Sequence, residues 1–197
     1  MRFLIVIILS LILFSCSTSI DNVTITQEES SYPIIIGISH SQNSIDYIGI
    51  PFRFKISQNT SMKISLYKSH YYHENTNRRK QWNSDVDLFV VYNKELLRPT
   101  GENSLNEIKK ETREFVPYVY YGHLTKEIQV LIYEQIKSIH IADKDTIHWG
   151  SIQGIKQLSP QAIKDFLQND SISFSFDFYD ISGKWESNTI SLPIEIK

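Results

Sequence analysis

Cysteine is nearly absent from this sequence, which contains only Cys16 among its 197 residues. One cysteine cannot form an intramolecular disulfide, so the fold has to be stabilised by its hydrophobic core and not by covalent cross-links. Glycine and proline are also scarce, with seven and six residues, while aromatic side chains make up 12%. This composition indicates a packed domain and argues against a disordered stalk.

Neither sign of charge dominates the sequence. The 20 Lys and Arg side chains are balanced by 22 Asp and Glu, which gives a formal net charge of −2. A domain dedicated to nucleic acid carries a strongly basic patch or stripe. We therefore expect no nucleic-acid partner.

Long apolar runs are missing except at the start of the chain. There, residues 3–9 are all apolar, and the apolar character continues to Phe14. A transmembrane helix needs about 20 apolar residues, and polar residues follow Cys16 at once. The segment has instead the length of the apolar region of a cleavable signal peptide, with Arg2 as its basic start.

The end of this apolar segment, Leu13-Phe14-Ser15-Cys16, resembles the lipobox of bacterial lipoproteins. The resemblance implies a diacylglyceryl thioether on Cys16, cleavage after Ser15, and acylation of the new amino terminus. Two or more acyl chains give durable membrane anchoring. Ser17, and not aspartate, follows the cysteine, which favours the outer membrane. Whether the protein faces the periplasm or the cell surface stays open.

The sequence predicts three segments. Residues 1–15 form the signal peptide, residues 16–31 a polar flexible tether, and residues 32–197 a single domain. Within that domain, apolar side chains recur at every second position, which is typical of half-buried β-strands. The clearest case is a C-terminal hairpin with its turn at residues 180–183. Pro193 in its second strand lacks an N–H and indicates an edge or bulged strand.

Short helices are expected between the strands. Ser104 and Glu107 have the spacing of a capping box. Ser159-Pro160 fits the start of a second helix, with Asn169 as its left-handed end. Residues 124–138 fit a helix or a strand, and we favour the helix. The final hairpin resembles the last two strands of immunoglobulin-like bacterial surface domains. We therefore predict a mainly β fold, an immunoglobulin-like β-sandwich with two or three short inserted helices.

Motifs for catalysis or metal binding are incomplete. His140 and His148 would face each other if residues 143–145 closed a hairpin, but the pair has no third ligand. The serine in the segment 150–154 lies one position too early for a nucleophile elbow. We therefore expect no enzyme activity, no metal site and no cofactor.

Two segments are candidate contacts with a partner. The first is a compact basic and aromatic loop, which suits lipid headgroups, an acidic glycan or an acidic protein surface. It consists of Arg78, Arg79, Lys80 and Trp82. The second is an aromatic-rich segment whose rings could stack on sugars or pack on a protein. It contains Tyr118, Tyr120 and Tyr121.

Together these observations predict a lipid-anchored, non-catalytic envelope protein. We expect a structural or accessory component of a cell-envelope or surface assembly, with the membrane and an envelope protein as its partners. Two alternatives remain: a lipoprotein that binds a surface glycan or other ligand, and an immunity-type lipoprotein that binds a toxin. Glycan binding requires exposed, coplanar aromatic rings, so burial of the rings of Tyr118, Tyr120 and Trp82 would count against it.

Overall fold

The structure, a computed structural model, forms two antiparallel sheets and two helices within the residues it describes. This confirms the predicted mainly β class, and the arrangement is consistent with a β-sandwich. The immunoglobulin-like topology stays a prediction. The described residues are 17–20, 22–39, 44–73, 81–83, 86–99, 107–108, 110–122, 124–136, 146–158, 160, 167, 169–180 and 182–195.

Nine strands make up the larger sheet. They are β1 (Ser17–Ile20), β2 (Val23–Glu28), β3 (Ile34–Ser39), β4 (Ser44–Pro51), β5 (Arg53–Gln58), β8 (Val86–Tyr92), β9 (Glu95–Leu97), β11 (Arg113–Tyr121) and β12 (Thr146–Trp149). Their order is β1-β2-β5-β11-β4-β3-β12, with β8 paired to β11 and β9 paired to β8. The strand β1 therefore lies at one end of this order.

The smaller sheet has the order β10-β6-β13-β14, with β7 also paired to β6. Its strands are β6 (Lys63–His73), β7 (Gln81–Asn83), β10 (Glu107–Ile108), β13 (Ser171–Tyr179) and β14 (Trp185–Pro193). The predicted C-terminal hairpin is confirmed as β13 and β14. Its turn is closed by the Gly183 N–H, which donates to the Asp180 carbonyl, and Gly183 has a φ of 81° that favours glycine. Pro193 lies on the end strand, as predicted.

Strands β4 and β5 are consecutive parts of one long, interrupted strand, and β2 and β3 are the parts of a second. Pro51 of β4 lies opposite Tyr118, and Phe54 of β5 lies opposite Phe115, in one continuous register along β11. On the edge of β4 and β5 that faces away from β11, β5 pairs with β2 and β4 pairs with β3. At the interruption, the Phe52 N–H donates to the Pro117 carbonyl at 3.0 Å. The two long strands therefore lie side by side in the larger sheet and pair along their length.

One hydrophobic core lies between the sheets. Phe54 of the larger sheet and Phe174 of the smaller sheet are both fully buried, and their rings meet edge-on with centroids 5.0 Å apart. Full burial of such a side chain contributes about 1.5–3 kcal/mol. The alternate apolar positions predicted to face inward on β13 are buried as expected. They are Ile172, Phe174, Phe176 and Phe178.

The helix α1 (Lys126–Ile136) settles the ambiguous segment in favour of the predicted helix. Its buried residues Ile128, Ile132 and Ile136 recur every four positions, which places them on one helical face. Thr125 precedes the helix, and its Oγ1 accepts the Ile128 N–H at 3.4 Å, as at an N-cap. A second helix, α2 (Ile152–Leu158), follows β12. No helix in the described ranges has both the length and the apolar character that crossing a membrane requires.

The predicted tether over residues 16–31 is wrong for the stretch that forms β2. Val23 and Ile25 are 1% and 0% exposed, and β2 pairs with β5 along its whole length. Only two strongly apolar residues alternate with polar ones in this strand. Its pattern was too short to stand out from the polar residues around it.

The predicted helix beginning at Ser104 is also wrong where the structure describes it. Glu107 and Ile108 form β10 and pair with β6, and Ile108 is fully buried. The capping-box spacing favours a helix locally, but pairing with β6 and burial of Ile108 stabilise a strand instead. The helix predicted after Ser159 lies mostly outside the described residues, but Asn169 does have the expected left-handed φ, 62°.

Candidate functional site

The basic loop is only partly described. Arg78, Arg79 and Lys80 lie outside the described residues, as does Cys16. Trp82 is in β7, where its backbone pairs opposite Tyr72 of β6. This segment therefore stays a predicted contact, attached to the end of β6 at which β7 pairs.

The predicted histidine pair is not brought together by any described contact. His140 lies outside the described residues, and His148 is exposed on β12 opposite Ile35. Across the part of the chain that the structure describes, no group of three His, Cys, Asp or Glu side chains is placed to hold a metal ion.

The aromatic segment 118–121 divides between the two faces of β11. Tyr121 points into the core and is 6% exposed, while Tyr118 is on the outer face but only 3% exposed. The Tyr118 hydroxyl donates to the Pro33 carbonyl at 3.1 Å, and burial raises the pKa of Tyr118 to about 12. Burial removes both side chains from the predicted contact surface. Tyr120 alone of the three keeps part of its ring accessible.

On the outer face of the larger sheet, four rings form a packed cluster. Tyr118 meets Phe89 at a centroid distance of 5.7 Å and 82°, and Tyr120 meets Tyr47 at 5.5 Å and 78°. These are edge-on contacts, the geometry favoured by aromatic pairs in cores. Gly49 makes room for Tyr120, since a Cβ there would come within 2.8 Å of Tyr120 Cε1. The rings are therefore not the coplanar platform that sugar stacking requires.

A polar group closes one side of this cluster. The Tyr120 hydroxyl donates to Asp87 Oδ2 at 3.0 Å, and the Arg98 Nη2 lies 2.8 Å from Asp87 Oδ1. The Arg98 guanidinium also lies 5.3 Å from the centre of the Phe89 ring. Burial, followed by the hydrogen bond to Asp87, raises the pKa of Tyr120. Asp87 thus connects β8, β11 and the residue after β9.

A second group of polar side chains lies inside the core, and we call it the phenol–carboxylate cluster: Tyr71, Tyr121 and Asp170. Tyr71 comes from β6, Tyr121 from β11, and Asp170 directly precedes β13. The Tyr71 hydroxyl donates to Asp170 Oδ2 and contacts the Tyr121 hydroxyl, which lies 3.2 Å from the same Oδ2. The cluster therefore joins the two sheets through one carboxylate oxygen.

The phenol–carboxylate cluster is a buried hydrogen-bonded group in which two phenol hydroxyls share one carboxylate oxygen. Burial is the largest cause that raises the pKa of Tyr71 and of Tyr121, and the neighbouring Asp170 raises both further. Both phenols therefore keep their protons at neutral pH and can donate to the carboxylate. Asp170 is 1% exposed, so the cluster lies away from solvent-borne substrates.

An exposed aromatic pair lies at the turn end of the β13–β14 hairpin. Tyr179 and Trp185 are directly opposite each other and are 38% and 62% exposed. Trp185 is the most exposed of the large hydrophobic side chains that the structure describes. Lys63 lies opposite Tyr179 on β6, and Lys184 precedes Trp185. The sequence held a signal for this pair, because strand alternation puts residues 177 and 179 on the face away from Phe178.

Comparison with models of known families, with curated proteins and with solved structures finds no match to this chain. Its function is therefore argued from its own residues. Besides the predicted basic loop, the features of the described residues that bear on function are the exposed aromatic pair, the packed outer cluster and the buried phenol–carboxylate cluster.

Proposed function

We propose that this protein is a lipid-anchored envelope lipoprotein that acts by binding, as a structural or accessory component of a cell-envelope assembly. The observation that carries the proposal is the position of Cys16. Its lipobox pattern ends one residue before β1, which is an end strand of the larger sheet. An acyl group on residue 16 would therefore leave the protein from a sheet edge and not from the core.

Binding is favoured over catalysis by where the polar side chains lie. The ionisable side chains that meet inside the core, Tyr71, Tyr121 and Asp170, are all at most 6% exposed. The partly exposed charged groups, such as Arg53 with Glu114, are ion pairs on the strand surface. A substrate would have to enter the core to reach them. The exposed pair Tyr179 and Trp185 has instead residue types that are enriched at binding surfaces, both of proteins and of membranes.

The glycan-binding alternative is less well supported. It needs exposed, coplanar rings at Tyr118 and Tyr120, whereas Tyr118 is buried and both rings meet their neighbours edge-on. We therefore assign the partner contact to the basic loop of residues 78–82. Because β7 pairs with the His73 end of β6 and Tyr179 lies opposite Lys63, this contact would be roughly 30 Å from Trp185 along the sheet.

Membrane anchoring is tested by the Cys16→Ala variant of the full chain. We expect labelled palmitate to be incorporated into the native chain but not into the variant, which should be released from membranes or remain an uncleaved precursor. The Ser17→Ala variant is the matched control and should be labelled and anchored normally. Equal palmitate labelling of the native and Cys16→Ala chains would contradict the proposal.

The accessory role is tested by cross-linking the lipidated, tagged protein in cells and identifying its partners by mass spectrometry. We expect one reproducible envelope complex, which is lost when Arg78, Arg79 and Trp82 are all replaced by alanine. A control with Lys94→Ala and Glu95→Ala, two exposed charged residues between β8 and β9 and at the start of β9, should keep it. If no protein partner is reproducible, the accessory role is excluded and binding of a glycan or small ligand becomes the leading hypothesis.

A further inference from the structure

We infer that the side of the sandwich formed by β1 and β14 lies against the lipid headgroups, with Trp185 as an aromatic contact at the membrane surface. The inference rests on the proposed lipid anchor at Cys16. It assigns a surface and a partner to residues that the sequence did not single out.

The first argument is the lack of a spacer between the anchor and the fold. Ser17 follows Cys16 directly and is already paired with Thr26 in the β1–β2 hairpin. Consecutive Cα atoms are 3.8 Å apart, so an acylated Cys16 would hold the sheet edge next to the headgroups. A flexible tether of about 15 residues would instead span roughly 20 Å. Some surface close to β1 must therefore face the bilayer.

The second argument identifies that surface. The strand β14 lies beside β1, and the two are end strands of their sheets. Ser17 is opposite Thr26, and the next residue, Gln27, bonds Glu195, so the anchor is at the Pro193 end of β14. Trp185 is about 26 Å away along the strand, so its contact requires the whole length of β14 to lie along the bilayer. Between Trp185 and Pro193 the only charged residue is Glu186, and Trp185 to Thr189 are all exposed. The edge at the other end of the larger sheet is different, because exposed Lys94, Glu95 and Arg98 surround β9. Bringing the β14 edge against a bilayer therefore desolvates fewer charged groups than bringing the β9 edge there.

The third argument is the chemistry of the aromatic pair. Tryptophan and tyrosine are enriched at the membrane–water interface because their rings are apolar and their N–H or O–H group is polar. Lys63 and Lys184, beside Tyr179 and Trp185, have the length to reach lipid phosphates while their alkyl parts stay close to the rings. A zwitterionic or mildly anionic headgroup layer is the partner that this combination fits.

The test uses the single-cysteine composition of the chain. Once Cys16 is acylated, an introduced cysteine is the only free thiol, so a fluorescent label reports one position. We would place it at Asn188→Cys on β14 and at Glu95→Cys on β9, both exposed sites. The full-length lipidated proteins would be reconstituted in phosphatidylcholine vesicles with some phosphatidylglycerol and a headgroup-nitroxide lipid. We expect quenching about threefold stronger at position 188 than at position 95, since interfacial contact brings residues within about 5–10 Å of the headgroups.

Two further variants test whether the quenching depends on the Trp185 contact or only on the closeness of the protein to the membrane. In the Asn188→Cys protein, Trp185→Ala should reduce the quenching, whereas Tyr92→Ala at the other edge should leave it unchanged. Equal quenching at positions 188 and 95 in a protein with acylated Cys16 would overturn the inference and leave the anchor intact. A parent chain that takes up thiol label in denaturant would overturn the anchor, and with it this inference.

Discussion

Removing the Tyr71 hydroxyl should destabilise the fold without disturbing its packing. The Tyr71→Phe change keeps a ring that stacks on Phe52 at 6.2 Å and meets Tyr121 edge-on at 5.7 Å. It deletes only the hydroxyl that donates to Asp170 and contacts the Tyr121 hydroxyl. The perturbation is therefore confined to hydrogen bonding inside the core.

The expected size follows from what remains around Asp170. A hydrogen bond to a charged group contributes about 1.5–3 kcal/mol. The Tyr121 hydroxyl, 3.2 Å from Asp170 Oδ2, can still donate to it in the variant. We therefore expect a loss of about 2 kcal/mol in the free energy of unfolding, which is close to a 1 M drop in the urea midpoint for a domain of this size.

The double variant Tyr71→Phe, Tyr121→Phe gives the sharper result. It removes both phenols from a carboxylate that is 1% exposed, so the loss should exceed the sum of the two single losses by about 1 kcal/mol or more. Urea unfolding followed by far-ultraviolet circular dichroism measures all three values, and Tyr179→Phe on the exposed hairpin is the control. Single losses below about 0.5 kcal/mol, or strict additivity, would refute this account of the phenol–carboxylate cluster.

Three other features lead to measurable expectations. Burial raises the pKa of both core phenols above the ordinary tyrosine value of 10.0, so the stability present below pH 10 should fall as the pH rises above it. A free energy of unfolding that stays flat from about pH 9 to 11 would contradict this. Gly49→Ala should lower the free energy of unfolding by about 1–3 kcal/mol through the clash with Tyr120. Gly154→Ala, in helix α2 where an added Cβ would meet no atom within 4 Å, should raise the free energy of unfolding by about 0.5–1 kcal/mol. The Gln27 side chain donates to the Glu195 carbonyl at 2.6 Å and accepts the Glu195 N–H at 3.1 Å. Gln27→Ala should therefore lower the free energy of unfolding by about 1–2 kcal/mol and speed hydrogen exchange at the Glu195 N–H. Unchanged exchange at that N–H would contradict this role of Gln27.

The sequence predicted best those elements whose signals are local and repeated. The β13–β14 hairpin combines strict alternation with a turn that contains Gly183, so its strands, its turn and its edge position could all be inferred. The strand β2 has only Val23 and Ile25 as apolar residues facing the core, so its neighbours made it resemble a tether. In β10, a capping-box spacing was a true local signal, but pairing with β6 decided the outcome.

The candidate sites divide in the same way. The exposed position of Trp185 follows from counting along one strand, so it could have been found from the sequence. The phenol–carboxylate cluster could not, because Tyr71 is 50 residues from Tyr121 and 99 from Asp170. Only the strand register brings them together, and no single segment of the sequence contains that information.

The place of β13 in the chain also determines when the sandwich can close. In the smaller sheet, β6 pairs with β13, which begins about a hundred residues later in the chain. Asp170 and β14 flank β13, so they take their places only when β13 pairs. Pairing over such a separation is slow, because the entropy of closing the long loop must be overcome before the contacts form. A chain that crosses a membrane amino terminus first would therefore remain open throughout its passage. If Cys16 is lipidated as proposed, the lipidating enzymes would meet it before the sandwich had closed.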